Sequence, residues 1–120
     1  MGERTMAYQT LNLLQMLDVL RTSDTAVAAV CGGGPWASVM HVQLEVDGVQ
    51  PVIHLSCGPE GRRMTCLRTD PRMVLLYRRD TCTGTDTVVA EGTAEIIPAE
   101  GGVRLRLPVK QLSGRRYFAI

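Results

Sequence analysis

The sequence has little on which a nucleobase could stack, with three tyrosines, one tryptophan and one phenylalanine among 120 residues. It also lacks charge of one sign: 13 basic residues stand against 12 acidic ones, for a formal net charge of +1. Without a net field or aromatic platforms, neither nucleic acid nor an anionic membrane surface is an expected partner. No stretch approaches the roughly 20 apolar residues of a membrane-spanning helix. Residues 1–7 lack the basic-then-apolar layout of an export signal, and a cytoplasmic location is expected. The four cysteines, Cys31, Cys57, Cys66 and Cys82, form no Cys-x-x-Cys pair, and no histidine is spaced to complete a zinc site. Free thiols and no metal are expected. The two histidines, His41 and His54, stand alone in strand-like runs and read as partly buried strand residues.

What the chain does have is 45% hydrophobic residues, enough to bury the core of one domain spanning residues 1–120. Over residues 6–21, Leu13, Leu14, Leu17 and Leu20 recur at helical spacing, with Met6, Leu11, Met16 and Val19 widening the stripe. This predicts a helix capped by Thr5 and broken at Thr22-Ser23-Asp24. Strand-like runs follow at 25–31, 36–46, 49–56, 73–77, 86–97 and 103–109. Turn signals at Gly32-Gly33-Gly34-Pro35, at Asp47-Gly48 and over 98–102, with a polar loop over 78–85, punctuate them. In the run 36–46, Ser38, Met40, Val42, Leu44 and Val46 alternate with Val39, His41, Gln43 and Glu45, the pattern of a half-buried strand. A leading helix, six strands and one inserted helix predict a mainly β (α+β) domain with two short helices, built as a six-stranded antiparallel barrel.

The inserted helix lies in the segment from Cys57 to Arg72, Cys-Gly-Pro-Glu-Gly-Arg-Arg-Met-Thr-Cys-Leu-Arg-Thr-Asp-Pro-Arg. It opens with Arg62 and Arg63, turns Met64 and Leu67 toward the sheet, and stops at Asp70-Pro71. Exposed N–H groups at a helix start, with two guanidiniums beside them, suit a phosphate. The same residues also suit a solvated surface helix, and there is no Walker-type glycine spacing.

In order along the chain, Pro35-Trp36-Ala37-Ser38-Val39-Met40, Gly61-Arg62-Arg63 with Leu67-Arg68-Thr69-Asp70-Pro71-Arg72-Met73, Val88-Val89-Ala90-Glu91-Gly92-Thr93-Ala94-Glu95 and Leu112-Ser113-Gly114-Arg115-Arg116 resemble motifs of the FMN-binding split-barrel family. That family includes pyridoxamine 5'-phosphate oxidase and the nitroimidazole-reductase proteins. The resemblance implies an FMN-binding split barrel, with the phosphate on Arg62 and Arg63. The isoalloxazine and ribityl chain would lie along Ser38, Val39, Met40, His41, Val42 and Gln43, Ser38 standing where relatives carry a basic residue for the phosphate. Ser56 and Cys57 would meet the flavin at a strand end, and Thr87 would reach it from the second subunit of a homodimer.

Departures from the pattern narrow the activity. Gln43 stands where the true oxidases have a lysine for pyridoxamine phosphate, and their substrate-binding C-terminal part is missing, which disfavours that reaction. Ser56 stands where the nitroimidazole-reductase proteins often carry a histidine, and His54 could replace it only if its strand face meets the flavin. The resemblance then implies an FMN-dependent oxidoreductase of nitroreductase or flavin-reductase type, with NADH or NADPH as donor and a small organic acceptor. A flavin-binding module without turnover is an alternative, as is a barrel for deazaflavin, haem or no cofactor.

Overall fold

The computed structural model describes residues 5–34, 36–48 and 50–119; the expected turn residue Pro35 and strand residue Val49 lie outside them. The chain opens with a strand, β1 (Met6–Thr10), where apolar spacing predicts the first turns of a helix. The helix, α1 (Leu13–Thr22), starts later because Asn12 and Gln15 each accept the other's backbone N–H, a reciprocal cap that sets its first turn. Thr5 is therefore not the cap. Met16, Val19 and Leu20 form the buried face of α1, whereas Leu13 and Leu14 are exposed, as is Met6 on β1.

The remaining strands are β2 (Thr25–Val30), β3 (Trp36–Asp47), β4 (Gln50–Cys57), β5 (Arg72–Asp80), β6 (Thr85–Thr93), β7 (Glu95–Ala99) and β8 (Gly102–Ala119). Six of them run antiparallel in the order β8-β4-β3-β2-β5-β6, and β6 returns to β8 to close the barrel. These six are the strands that the strand-like runs predict. The two additions, β1 and β7, both pair with β8. β8 is shared between the halves of the split barrel: its first part pairs with β4 and β7, its last with β6 and β1.

Three further element bounds differ by more than a residue or two from those that the pattern predicts. The run over 86–97 divides, because the ladder slips at Glu91/Gly92 and the chain leaves it at Ala94, which is buried and donates its N–H to the Pro71 carbonyl. The polar loop shortens to residues 81–84, since Arg78, Arg79 and Asp80 continue the β5 ladder opposite Thr87, Asp86 and Thr85. The last strand does not stop at Val109, because β6 and then β1 supply ladder partners as far as Ala119; Leu11 and Met16 pack where a side chain at Gly114 would stand.

Leu75, Tyr77, Val88, Ala90, Ile53, Leu55, Leu105 and Leu107 fill the interior. The Tyr77 hydroxyl is buried without a partner among the described residues, and burial raises its pKa. The fully buried Asp86 accepts from Arg116 Nε at 2.7 Å and Nη2 at 3.1 Å, and from Arg79 Nη2 at 3.2 Å. Arg79 also donates to Asp18 on α1 at 2.8 Å, so one ionic network ties the helix to β5, β6 and β8. Hydrogen bonds from Arg116, then Arg79, outweigh burial and hold the Asp86 carboxyl below the usual range. Among the described residues no helix is long and apolar enough to cross a membrane.

Candidate functional site

The second helix, α2 (Arg62–Thr69), buries Met64, Cys66 and Leu67 and packs beside β2 and β3. Gly61 precedes it at φ 111°, a conformation that side-chain-bearing residues rarely take, and no side chain caps the first turn. At the other end Asp70 accepts the backbone N–H of Arg72 at 3.1 Å and its guanidinium at 2.6 to 3.1 Å. The Arg72 guanidinium holds the Asp70 carboxyl below its usual range. The Asp-Pro-Arg part of the motif is thus a turn that leads the chain from α2 into β5.

Arg62 and Arg63 both reach back to the start of β3. Arg62 stacks over the Trp36 ring, 4.8 Å from its centroid. Arg63 Nη2 donates to Ser38 Oγ at 2.7 Å. Two donors at this junction, Arg63 Nε and Trp36 Nε1, are buried with no hydrogen-bond partner among the described residues. Such orphans are costly and uncommon, and an anion entering an opened junction would supply the acceptor they lack. Together with the uncapped first turn of α2, this donor set fits a phosphate group.

The residues expected along β3 divide between its two faces. Met40 and Val42 point into the core, so their side chains are closed to a ligand. Val39, His41 and Gln43 are exposed on the outer face. His41, Gln43 and the exposed Ser56 line one concavity of about 470 Å³ with Glu45, His54 and Arg104. Cys57 instead sits on the inner side of its strand, its Sγ 3.5 Å from the Met64 sulfur. The four cysteines are unbridged; Cys31 and Cys82 are exposed, Cys57 half-buried and Cys66 buried.

Thr87 stands apart. It lies on β6, three strands from β3 around the barrel, in a different concavity with Ser113, Arg115 and Tyr117. A single chain therefore does not bring Thr87 to Arg63. His41 is more exposed than the strand pattern predicts, while His54 is largely buried, with 19% of its side chain exposed, and pairs through Nε2 with Glu45 Oε2 at 2.6 Å. The patterns did not single out Trp36, Glu45 or Arg104. The hairpin register that sets Gln43 opposite His54 and leaves Glu45 one pleat away is the signal that places Glu45 beside the histidine.

Comparison of the sequence with protein-family models and with curated proteins finds no match. Solved structures do share the fold. A proposed 5-nitroimidazole antibiotic resistance protein from Bacteroides thetaiotaomicron superimposes with a TM-score of 0.82 at 14% identity, covering 96% of this chain and 90% of that one. An FAD-binding protein from Mesorhizobium loti does so with a TM-score of 0.78 at 20% identity, over 91% and 97% of the two chains. A proposed pyridoxamine 5'-phosphate oxidase from Corynebacterium glutamicum gives 0.74 at 16%, over 94% of each. The chain has the split-barrel fold of the pyridoxamine 5'-phosphate oxidase-like proteins.

Proposed function

We propose that this protein binds a flavin nucleotide, FMN, and works as a flavin-dependent oxidoreductase on a small organic acceptor, with NADH or NADPH as donor. The observation that carries this reading is the junction of α2 and β3, where Arg63 bridges to Ser38 and two buried N–H donors lack partners among the described residues. Arg63 and the first-turn N–H groups would hold the phosphate, with Arg62 held close by its stacking on Trp36. His41 and Gln43, outward on β3, and Ser56, at the end of β4, would border the ring, while the buried Met40 and Val42 keep the strand fixed behind it. A bound flavin supplies the electron-transfer chemistry; this chain's residues bind it, orient it and shield it from water.

The reading includes a homodimer. Val39 opposite Val27, Val27 opposite Leu76, and Leu76 opposite Val89 make an apolar row across the outer faces of β3, β2, β5 and β6. Val39, Val27 and Leu76 are 67%, 38% and 44% exposed, which a second copy would cover. Pairing also offers a way for Thr87 of a second copy to approach the site that its own chain cannot complete.

Titration of the purified protein into FMN tests the cofactor assignment. Quenched and shifted flavin fluorescence that saturates at one FMN per chain is expected. A colourless protein that leaves FMN fluorescence unchanged well above micromolar concentration would overturn the reading.

A further inference from the structure

The outer face of β3, β4 and β8 carries two cross-strand rows of polar side chains. Gln43 lies opposite His54, which lies opposite Arg106, which lies opposite Glu95. In the neighbouring row Ser56 lies opposite Arg104. Two carboxylates on this face are already matched: Glu45 accepts from His54 Nε2 at 2.6 Å, and Glu95 accepts from Arg106 at 3.0 Å. Arg104, in contrast, is exposed and has no hydrogen-bond or ion-pair partner among the described residues. Its guanidinium shares the concavity of about 470 Å³ with Ser56, His41 and Gln43, all able to donate hydrogen bonds.

Arg104 is the cation of this concavity that lacks a partner among the described residues; Glu45, on the same wall, is engaged by His54, and the remaining polar groups are neutral donors, so a small ligand bearing a negative charge fits. The planar fork of the guanidinium matches the two oxygens of a carboxylate. We infer that this concavity binds a small organic carboxylate anchored by Arg104, with Glu45 holding His54 in place as its neighbour. The 2.6 Å contact between Nε2 and the Glu45 carboxylate holds the His54 ring in one orientation. Because His41, Gln43 and Ser56 also border the proposed flavin ring, the carboxylate would be the second reactant lying beside it. That role rests on the flavin reading; the binding itself rests on Arg104 and its surroundings alone.

The chain has only two histidines, and both line this concavity, so their ring C–H resonances report on it without ambiguity. The experiment titrates benzoate, and separately the neutral benzamide, into the whole protein with and without FMN, and repeats the titration on Arg104→Gln. Expected are saturable shifts of both histidine resonances with benzoate, none with benzamide, and affinity at least about tenfold weaker in Arg104→Gln, which should bind FMN as the original protein does. Unmoved histidine resonances at millimolar benzoate, equal shifts with benzamide, or undiminished benzoate binding by Arg104→Gln would each overturn the inference. Benzoate binding by a protein that binds no FMN would support the carboxylate site and refute the flavin reading, so the two failures are separable.

Discussion

Arg63 on the first turn of α2 donates a 2.7 Å hydrogen bond to Ser38 on β3, across 25 residues of sequence. The bond fixes a long side chain whose Nε is buried and unpartnered among the described residues. Holding a guanidinium in place before the ligand arrives reduces the ordering that binding must impose. Ser38→Ala should therefore weaken FMN binding several-fold, since the anchor is lost while the charge remains. The effect on folding should stay near the roughly 1 kcal/mol of one hydrogen bond. Fluorescence titration and thermal melts of the variant check both halves.

The buried Asp86 gives the fold a defined response to acid. Its folded-state pKa is depressed, chiefly by the Arg116 hydrogen bonds, so its stabilising contribution is complete above the unfolded carboxyl value near ~3.9 and is lost as pH falls through the lower, folded value. Asp86→Asn leaves Arg116 without its carboxylate and Arg79 with only Asp18, and should cost roughly 3 kcal/mol at neutral pH. Denaturant unfolding curves at pH 7 and below pH ~4 should show that the gap between the two proteins narrows as pH falls.

Gly92 is where the β6 ladder slips, and a Cβ there would stand 2.3 Å from the Pro108 carbonyl oxygen. Backbone cannot yield as a flexible side chain does, so Gly92→Ala should destabilise the barrel by about 1–3 kcal/mol. Gly58→Ala, with nothing within 4 Å of the added carbon, serves as the control and should melt close to the original protein. Equal melting of the two variants would mean that the close approach is not a constraint.

The apolar row through Val27 and Leu76 predicts assembly. The protein should sediment as a dimer at micromolar concentration, with an interface above about 1,000 Å². Leu76→Asp should shift it to monomer without unfolding it, because the side chain is 44% exposed in the single chain. A monomeric parent protein, or a dimer untouched by the substitution, would remove the basis for a site shared between two copies.

Strand-favouring runs bounded by turn signals locate all six barrel strands, and in β3 the period-two alternation also shows that one face is buried. The turn signal Asp47-Gly48 likewise places the β3–β4 hairpin. The helix expected over residues 6–21 shows where this logic stops. Leu13 and Leu14 fit the helical stripe but are exposed, and Met6–Thr10 becomes a strand because its ladder partner lies over a hundred residues away on β8. The largely polar stretch at 110–116 conceals the continuation of β8, whose ladder comes from β6 and β1. At the candidate site, paired arginines after a glycine turn are visible in the sequence. The Ser38 bond, the Trp36 stacking and the His54–Glu45 pair depend on which strands meet, and local pattern does not encode that.

The most direct test of the account is the ratio of FMN to riboflavin affinity in the original protein and in Arg63→Ala. The two ligands differ only in the phosphate, so the ratio isolates the interaction assigned to the α2–β3 junction. Loss of a charged hydrogen-bonding partner should weaken FMN about tenfold to a hundredfold. Riboflavin should bind both proteins alike, and the ratio should collapse accordingly. An unchanged ratio, or an equal fall for both ligands, would contradict the assignment of the phosphate to Arg63.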